Sequence, residues 1–382
     1  MTDSFHHRLE KDLAHRRQDQ RLRELRSYPG IRLNLCSNDY FQLRRHPAVL
    51  AGARQALETF GAGSGASPLL AGFLPCHQDL LDRLKRWKSM PAGMLFNSGF
   101  MANQAVLKHL PGKNDLVLAD RLIHHSLAQA LTQGEARFKR YPHLDLDLDR
   151  LESLLAQHGA GYETVFVVTE SVFSMDGDYP DLDRLAALKH HYSFVWILDE
   201  AHGTGVFGPS GGGLAEAMGV LQDVDVLVGT LGKALGSMGA YVLSPFPRII
   251  DFLVNRAGEF IYSTFLSPAA AGAASAAVSR IQTLHSQRND LRRCSRRIRE
   301  QLMALGYVTN EFDTPIVPVL LGEEGKTLAL RDRLWEQGIL VGAVRPPTVP
   351  RGTSRLRISL HSGVTDAEAD TLMTLLRQCK PR

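Results

Sequence analysis

The sequence predicts an α/β protein: a three-layer α/β/α large domain on a mostly parallel sheet, followed by a small α+β C-terminal domain. Three observations predict it. Continuous apolar runs such as Val165-Phe166-Val167-Val168 and Val195-Trp196-Ile197-Leu198 read as strands buried on both faces. Helical patterns alternate with these runs, the sign of βαβ units. The chain has 382 residues, more than the roughly 250–300 at which a single core stops growing.

The elements follow in order. Residues 5–26 are polar and Arg-rich and predict a helix ended by Pro29-Gly30. The strand expected at Ile31–Cys36 has no evident partner in the large sheet and is assigned to the small domain. Strands are then expected at Gly93–Asn97, Asp115–Ala119, Thr164–Glu170, Phe194–Asp199, Val224–Thr230 and Ala240–Ser244. Helices between them include Gln78–Lys88, Gly99–His109 and Leu182–His191. From about Gln287 the pattern changes: helix Asn289–Leu305, strand Ile316–Leu321, helix Lys326–Gln337, strand Leu356–Leu360 and a last helix from Asp366. The expected divisions are an N-terminal helix and strand segment (1–45), a large domain (46–286) and a small α+β domain (287–382).

Composition narrows the function. With 44% hydrophobic and 22% charged residues and a net charge of +4, the chain reads as an ordinary globular enzyme and not a nucleic-acid binder. Its four cysteines form no CxxC pair, which fits a reducing cytoplasm. The N-terminal residues lack the apolar stretch of a signal peptide, and no segment has the roughly 20 apolar residues of a membrane helix. A cytoplasmic protein without membrane or metal partner is expected, since the 15 histidines show no metal-ligand spacing.

Two glycine motifs are set aside. Gly203-Thr-Gly-Val-Phe-Gly208 satisfies GxGxxG and follows a strand, but Pro209-Ser210-Gly211-Gly212-Gly213 leaves no room for the helix that should receive a pyrophosphate. A nicotinamide oxidoreductase would rest on this stretch alone. Gly208-Pro-Ser-Gly-Gly212 matches GxSxG without the strand and helix that a nucleophile elbow needs.

A different constellation points to pyridoxal phosphate (PLP). That cofactor needs an amine, an anion for its ring nitrogen, a phosphate cradle, a stacking group and donors to its phenolic oxygen. Lys233 lies among small residues in Thr230-Leu-Gly-Lys-Ala-Leu-Gly236, where partial desolvation favours the neutral amine that forms a Schiff base. Asp199 ends an apolar strand and requires a cationic partner. His202, three residues on, is a donor for the phenolic oxygen. Ser98-Gly99-Phe100 opens a helix whose N-terminus suits a phosphate, with Thr230 adding a hydroxyl. His124 follows another predicted strand and can stack on the ring. Taken singly, an exposed turn lysine, a capping aspartate or an N-cap serine would be the plainer reading; the joint arrangement is what carries weight. The Arg-rich helix with Arg288, Arg292, Arg293, Arg296, Arg297 and Arg299 is read as a solvated face, with docking of an acidic acyl carrier protein or CoA phosphates as the alternative.

These motifs resemble the α-oxoamine synthases, PLP enzymes of fold type I that condense an amino acid with an acyl thioester. The resemblance runs through Ser37-Asn-Asp-Tyr40, Asn97-Ser-Gly-Phe-Met-Ala-Asn103, Thr169-Glu-Ser-Val-Phe-Ser-Met-Asp-Gly177, Asp199-Glu-Ala-His-Gly-Thr-Gly205 and Thr230-Leu-Gly-Lys233. Ile261-Tyr-Ser-Thr264, Val344-Arg-Pro-Pro-Thr-Val-Pro350 and His77-Gln78 are similar to the alanine-using members. The resemblance implies L-alanine and a pimeloyl thioester, on CoA or acyl carrier protein, as substrates, with a glycine- or serine-using synthase as the alternative. It also implies site residues. Lys233, Asp199 and His124 match the cofactor lysine, the ring-nitrogen partner and the stacking histidine. Ser174 and His202 match groups near the phenolic oxygen, and Gly99, Phe100 and Thr230 match phosphate contacts. Thr264 matches a residue that reaches the phosphate across a homodimer with shared active sites. Asn38, Arg345, Thr348 and Arg23 match substrate positions, Arg345 as a fork for the amino-acid carboxylate.

Overall fold

A computed structural model of the chain describes residues 2–143 and 148–379. In chain order the strands are β1 (Leu33–Leu35), β2 (Ala92–Phe96), β3 (Leu116–Asp120), β4 (Arg137–Tyr141), β5 (Val165–Glu170), β6 (Val195–Asp199), β7 (Val226–Thr230), β8 (Ala240–Ser244), β9 (Ile316–Gly322), β10 (Ile339–Val344) and β11 (Ser354–Ser359). They form two sheets in two compact units. Residues 38–174 and 178–291 make the larger unit, and residues 1–37, 175–177 and 292–382 the smaller.

The larger unit is built on a seven-stranded sheet of order β2-β8-β7-β6-β5-β3-β4. Only β8 runs against its neighbours; the remaining pairs are parallel. Every residue of β3, β5 and β8 is buried, as continuous apolar runs in a covered sheet require. The architecture is the expected one, a mostly parallel sheet flanked by helices. In such a sheet the loops leaving the carboxyl ends of the strands gather in one place. Those loops carry His124, Ser174, His202 and Lys233.

β4 was not anticipated. Its sequence, Arg-Phe-Lys-Arg-Tyr, buries only Tyr141, so an edge position left no apolar run to read. In the smaller unit the order is β1-β10-β11-β9, with β1 parallel to β10 and the other pairs antiparallel. The strand expected at Ile31–Cys36 is β1, and its partner β10 is a second element without an expectation. Helices Gly99–His109 and Leu182–Tyr192 fall where the periodicity placed them.

Two expectations are corrected. The first helix ends at Gln18, not at residue 26. Gln20 adopts a left-handed conformation (φ 56°), and the amides of Arg21 and Leu22 bond back to the Arg16 carbonyl, closing the helix as a C-cap does. The Arg-rich helix, His285–Ala304, is no solvated face throughout. Arg288 and Arg299 are 4% and 1% exposed. Arg299 donates to the Thr314 and Ile316 carbonyls at 3.1 and 2.6 Å and to Asn310 Oδ1 at 3.0 Å. Arg288 donates to the carbonyls of Ile281 and Pro209 at 2.7 and 2.8 Å. A buried guanidinium is tolerated because its donors are met by acceptors. Arg292 and Arg296 pair with Asp313, and Arg297 with Asp366, nearer the surface.

Candidate active site

In the larger unit the loop after β7 places Lys233. Leu231 and Gly239 close it with a backbone bond of 2.9 Å, and the Ser237 amide donates to the Leu231 carbonyl at 2.9 Å. Gly236 (φ +63°) allows the turn, and a Cβ there would meet the Arg44 amide nitrogen at 2.3 Å, so the loop packs on the turn at residues 39–44. Lys233 is half-buried and its Nζ lies 2.8 Å from His202 Nε2. The other ring nitrogen of His202, Nδ1, lies 2.7 Å from the hydroxyl of Tyr40.

Asp199 ends β6 and is 5% exposed. Its Oδ2 accepts from Asn103 Nδ2 and its Oδ1 from the Ala201 amide, both at 2.8 Å. Next to it in register is Glu170 of β5, 3% exposed. Burial, and then the charge of Asp199, push the Glu170 carboxyl well above the usual carboxylate range. It accepts the backbone N–H of His124 and so anchors the loop after β3. His124 lies on the exposed surface of that loop, yet enough protein surrounds its ring to hold the pKa below the ordinary value. Asp199 opposes this and Lys233 reinforces it. Ser126 Oγ meets His124 Nδ1 at 2.7 Å and Asn103 Nδ2 at 3.0 Å.

The helix Gly99–His109 begins on Ser98, whose side chain accepts the Met101 amide at 3.2 Å. A Cβ added to Gly99 would find only Thr230, 3.9 Å away. The N-terminus and the β7 hydroxyl therefore flank open space. Phe100 is 43% exposed there. Asn97 Nδ2 donates to the Thr264 carbonyl of the same chain at 2.7 Å. Ser174 is buried in the loop after β5, and Asn38 starts the turn that carries Tyr40.

The smaller unit gathers the remaining three residues. Arg23 Nη2 donates to Thr348 Oγ1 at 3.0 Å, and Arg345 donates to the Gln20 carbonyl. Arg17, Arg23, Arg26, Arg331 and Arg345 line one pocket. Burial, then the like charges of Arg331 and Arg23, hold the Arg345 pKa below its ordinary value; Glu24, paired with Arg26, lines the same pocket. Tyr40, Asn103, Ser126 and Glu170 had no assigned role from sequence. Three of them sit inside motifs already quoted, so the signal was their membership of those motifs.

These groups fit PLP. Asp199 is a buried carboxylate at the sheet end, Lys233 an amine in reach of an imidazole, and the Gly99 end a cradle with free amides. The side-chain oxygen of Asn103 is buried without a partner, a polar atom still unmatched beside Asp199. The glycine run 203–213 is occupied otherwise. Cβ atoms on Gly203 and Gly213 would each lie 2.3 Å from Glu200 Oε2, and one on Gly208 would overlap the Glu216 carboxylate. The run wraps two of the protein's own carboxylates, so it is no dinucleotide loop.

Comparison with known proteins agrees. The family model for class I and II aminotransferases matches residues 31–376, and the chain belongs to this family. It is 45% identical over 339 residues to a Geobacter sulfurreducens protein named 8-amino-7-oxononanoate synthase, covering 88% of this chain and 85% of that one. Among solved structures it resembles serine palmitoyltransferase from S. paucimobilis with a bound PLP–myriocin aldimine, at TM-score 0.87 and 28% identity, covering 94% and 91% of the two chains. It also resembles 8-amino-7-oxononanoate synthase from Francisella tularensis, at TM-score 0.78 and 27% identity, covering 91% and 97%.

Proposed function

We propose that the chain is a PLP-dependent acyltransferase of the 8-amino-7-oxononanoate synthase type. It condenses L-alanine with a pimeloyl thioester, releasing CO2 and the free thiol, a step of biotin biosynthesis. The observation that carries the reading is Lys233 Nζ held 2.8 Å from His202 in a site that also supplies Asp199, His124 and the Gly99 helix end. PLP bound there supplies an electron sink for the charge that develops at the alanine Cα.

The residues divide the remaining work. Lys233 is the attachment amine and, once released, the base that takes the Cα proton. Asp199, fixed by Asn103 and the Ala201 amide, keeps a proton on the ring nitrogen. His124 covers the ring, Ser174 and His202 address the phenolic oxygen, and Gly99, Phe100 and Thr230 hold the phosphate. Thr264 of the partner subunit completes that cradle in a homodimer with shared sites. Arg345 forks the alanine carboxylate, with Asn38, Thr348 and Arg23 on the substrate side. Among the described residues no helix is long and apolar enough to cross a membrane; a cytoplasmic location fits the thiol product and the free cysteines.

The test is release of labelled CO2 from carboxyl-labelled L-alanine, glycine or L-serine with pimeloyl-CoA and with pimeloyl-acyl carrier protein. CO2 from alanine with either donor is expected. CO2 from serine or glycine instead would assign the chain to another α-oxoamine synthase activity.

A further inference from the structure

Tyr40 belongs to none of the roles above, yet its side chain reaches the core of the site. It is fully buried, and its hydroxyl lies 2.7 Å from His202 Nδ1, whose Nε2 lies 2.8 Å from Lys233 Nζ. The three groups form one line, hydroxyl to imidazole to amine. The turn that holds Tyr40 is fixed twice. Asp39 accepts the Leu43 and Arg44 amides at 2.8 and 3.3 Å, and Gln42 closes it with a left-handed backbone (φ 55°) and a bond to the Asp39 carbonyl. Gly236 of the lysine loop packs against this same turn. One short segment therefore positions both ends of the line.

A neutral imidazole has one N–H and one lone pair, and the partner of one nitrogen decides the state of the other. A phenol buried away from water must place its O–H on an acceptor, and 2.7 Å is an ordinary O–H donor distance. With Tyr40 donating to Nδ1, the ring proton of His202 sits on Nε2. That N–H then points at the Lys233 amine and leaves its nitrogen as the acceptor, which is the neutral form a nucleophilic or basic lysine needs. The reverse order, with Nδ1–H donating to the phenol, would pair Nε2 with an ammonium and hold the lysine protonated.

We propose that Tyr40 is a positioning residue that fixes His202 as the Nε2–H tautomer, so that its N–H is presented to the Lys233 amine, and to the phenolic oxygen of PLP when the cofactor takes up that amine. This rests on the reading of Lys233 as the cofactor lysine. It is tested on the full-chain, PLP-loaded protein with 15N-labelled histidine, the His202 signals being assigned by their loss in His202→Gln. Wild type should show a protonated Nε2 and an acceptor Nδ1. A proton on Nδ1 overturns the proposal, whatever any variant does. In Tyr40→Phe, which keeps the ring and removes the hydroxyl, the His202 signals should move towards mixed tautomers. PLP affinity should stay within about threefold, while exchange of the alanine Cα proton with solvent, measured without thioester, should slow by about 10- to 100-fold. Unchanged tautomer or unchanged exchange in a folded, PLP-loaded Tyr40→Phe also overturns it. Failure of wild type to bind PLP or to exchange the alanine proton would instead defeat the underlying assignment of function, and the two failures are told apart by the wild-type spectrum.

Discussion

Lys88 and Lys233 lie in the same unit and face opposite tasks. Lys88 is fully buried. Its ammonium donates to Thr204 Oγ1 at 3.0 Å and to the Gly212 carbonyl, and it sits 4.6 Å above the centre of the Trp87 ring. It also opposes the rise that burial causes in the Glu200 carboxyl. Lys233 is half-buried on a loop, beside an imidazole and open space at a helix end. The first lysine is spent on holding the glycine run together. The second is placed where an added molecule can meet it. Burial alone does not make a lysine chemical; what matters is whether its partners can exchange protons and whether a ligand can reach it.

The largest effects should separate the two. Lys233→Ala should lower turnover by at least about 10³-fold and abolish the visible absorption of PLP-loaded protein, while stability changes by no more than about 1 kcal/mol. Lys88→Met should do the reverse. It strands the Gly212 carbonyl and removes the charge that faces Glu200, costing about 3 kcal/mol in denaturant unfolding. Folded protein should keep its PLP spectrum. A Lys88→Met protein of normal stability would remove the structural half of the contrast.

Glycines sharpen it. Gly213 has φ +119°, and a Cβ would lie 2.3 Å from Glu200 Oε2, so Gly213→Ala should cost about 2–4 kcal/mol without a direct effect on PLP. Gly99→Ala meets only ordinary contact with Thr230 and should leave stability within about 0.5 kcal/mol. Its methyl would enter the proposed phosphate cradle and weaken PLP binding by about tenfold. Fluorescence titration with PLP beside thermal unfolding of both variants checks the pair.

The sheet was legible because its inner strands are continuous apolar runs, and the lysine loop because small residues surround one lysine after such a run. β4 was not, since four of its five residues face solvent and the parallel edge is set by tertiary pairing. The burial of Arg288 and Arg299 was equally hidden. Their acceptors are mostly backbone carbonyls, which no side-chain pattern announces. Nor could spacing show that Tyr40 and His202, 162 residues apart, share a hydrogen bond. The GxGxxG match misleads for the opposite reason: its first and last glycines are required, but by Glu200 and Glu216 of this same chain.

A buried histidine tests the contrast by pH. His143 lies 3.0 Å from both oxygens of Asp120 and 2.9 Å from Asp178 Oδ2. Burial lowers its pKa, but the two carboxylates overcome this and raise it to about 10. A histidine pKa raised on folding gives stability that is fully present below about pH 6.5 and is lost as pH rises through about 10. Unfolding free energy should therefore fall by about 3–4 kcal/mol between pH 7 and 10, and His143→Gln should flatten that slope. A slope unchanged in His143→Gln would place its source elsewhere.

Trp87→Phe should give the smallest effect. Phenylalanine keeps a ring beneath the Lys88 ammonium but offers a weaker face to a cation. It also loses the indole N–H that donates to the Ser210 carbonyl at 3.2 Å and to Ser210 Oγ at 3.0 Å. Together these should cost about 1–2 kcal/mol, read as a lower denaturant midpoint. PLP affinity should not move, because every group that changes belongs to the glycine run and none to the lysine loop. If PLP affinity fell in step with stability, the two lysine environments would be one cooperative structure, and Lys88 would have to be counted among the supports of the site.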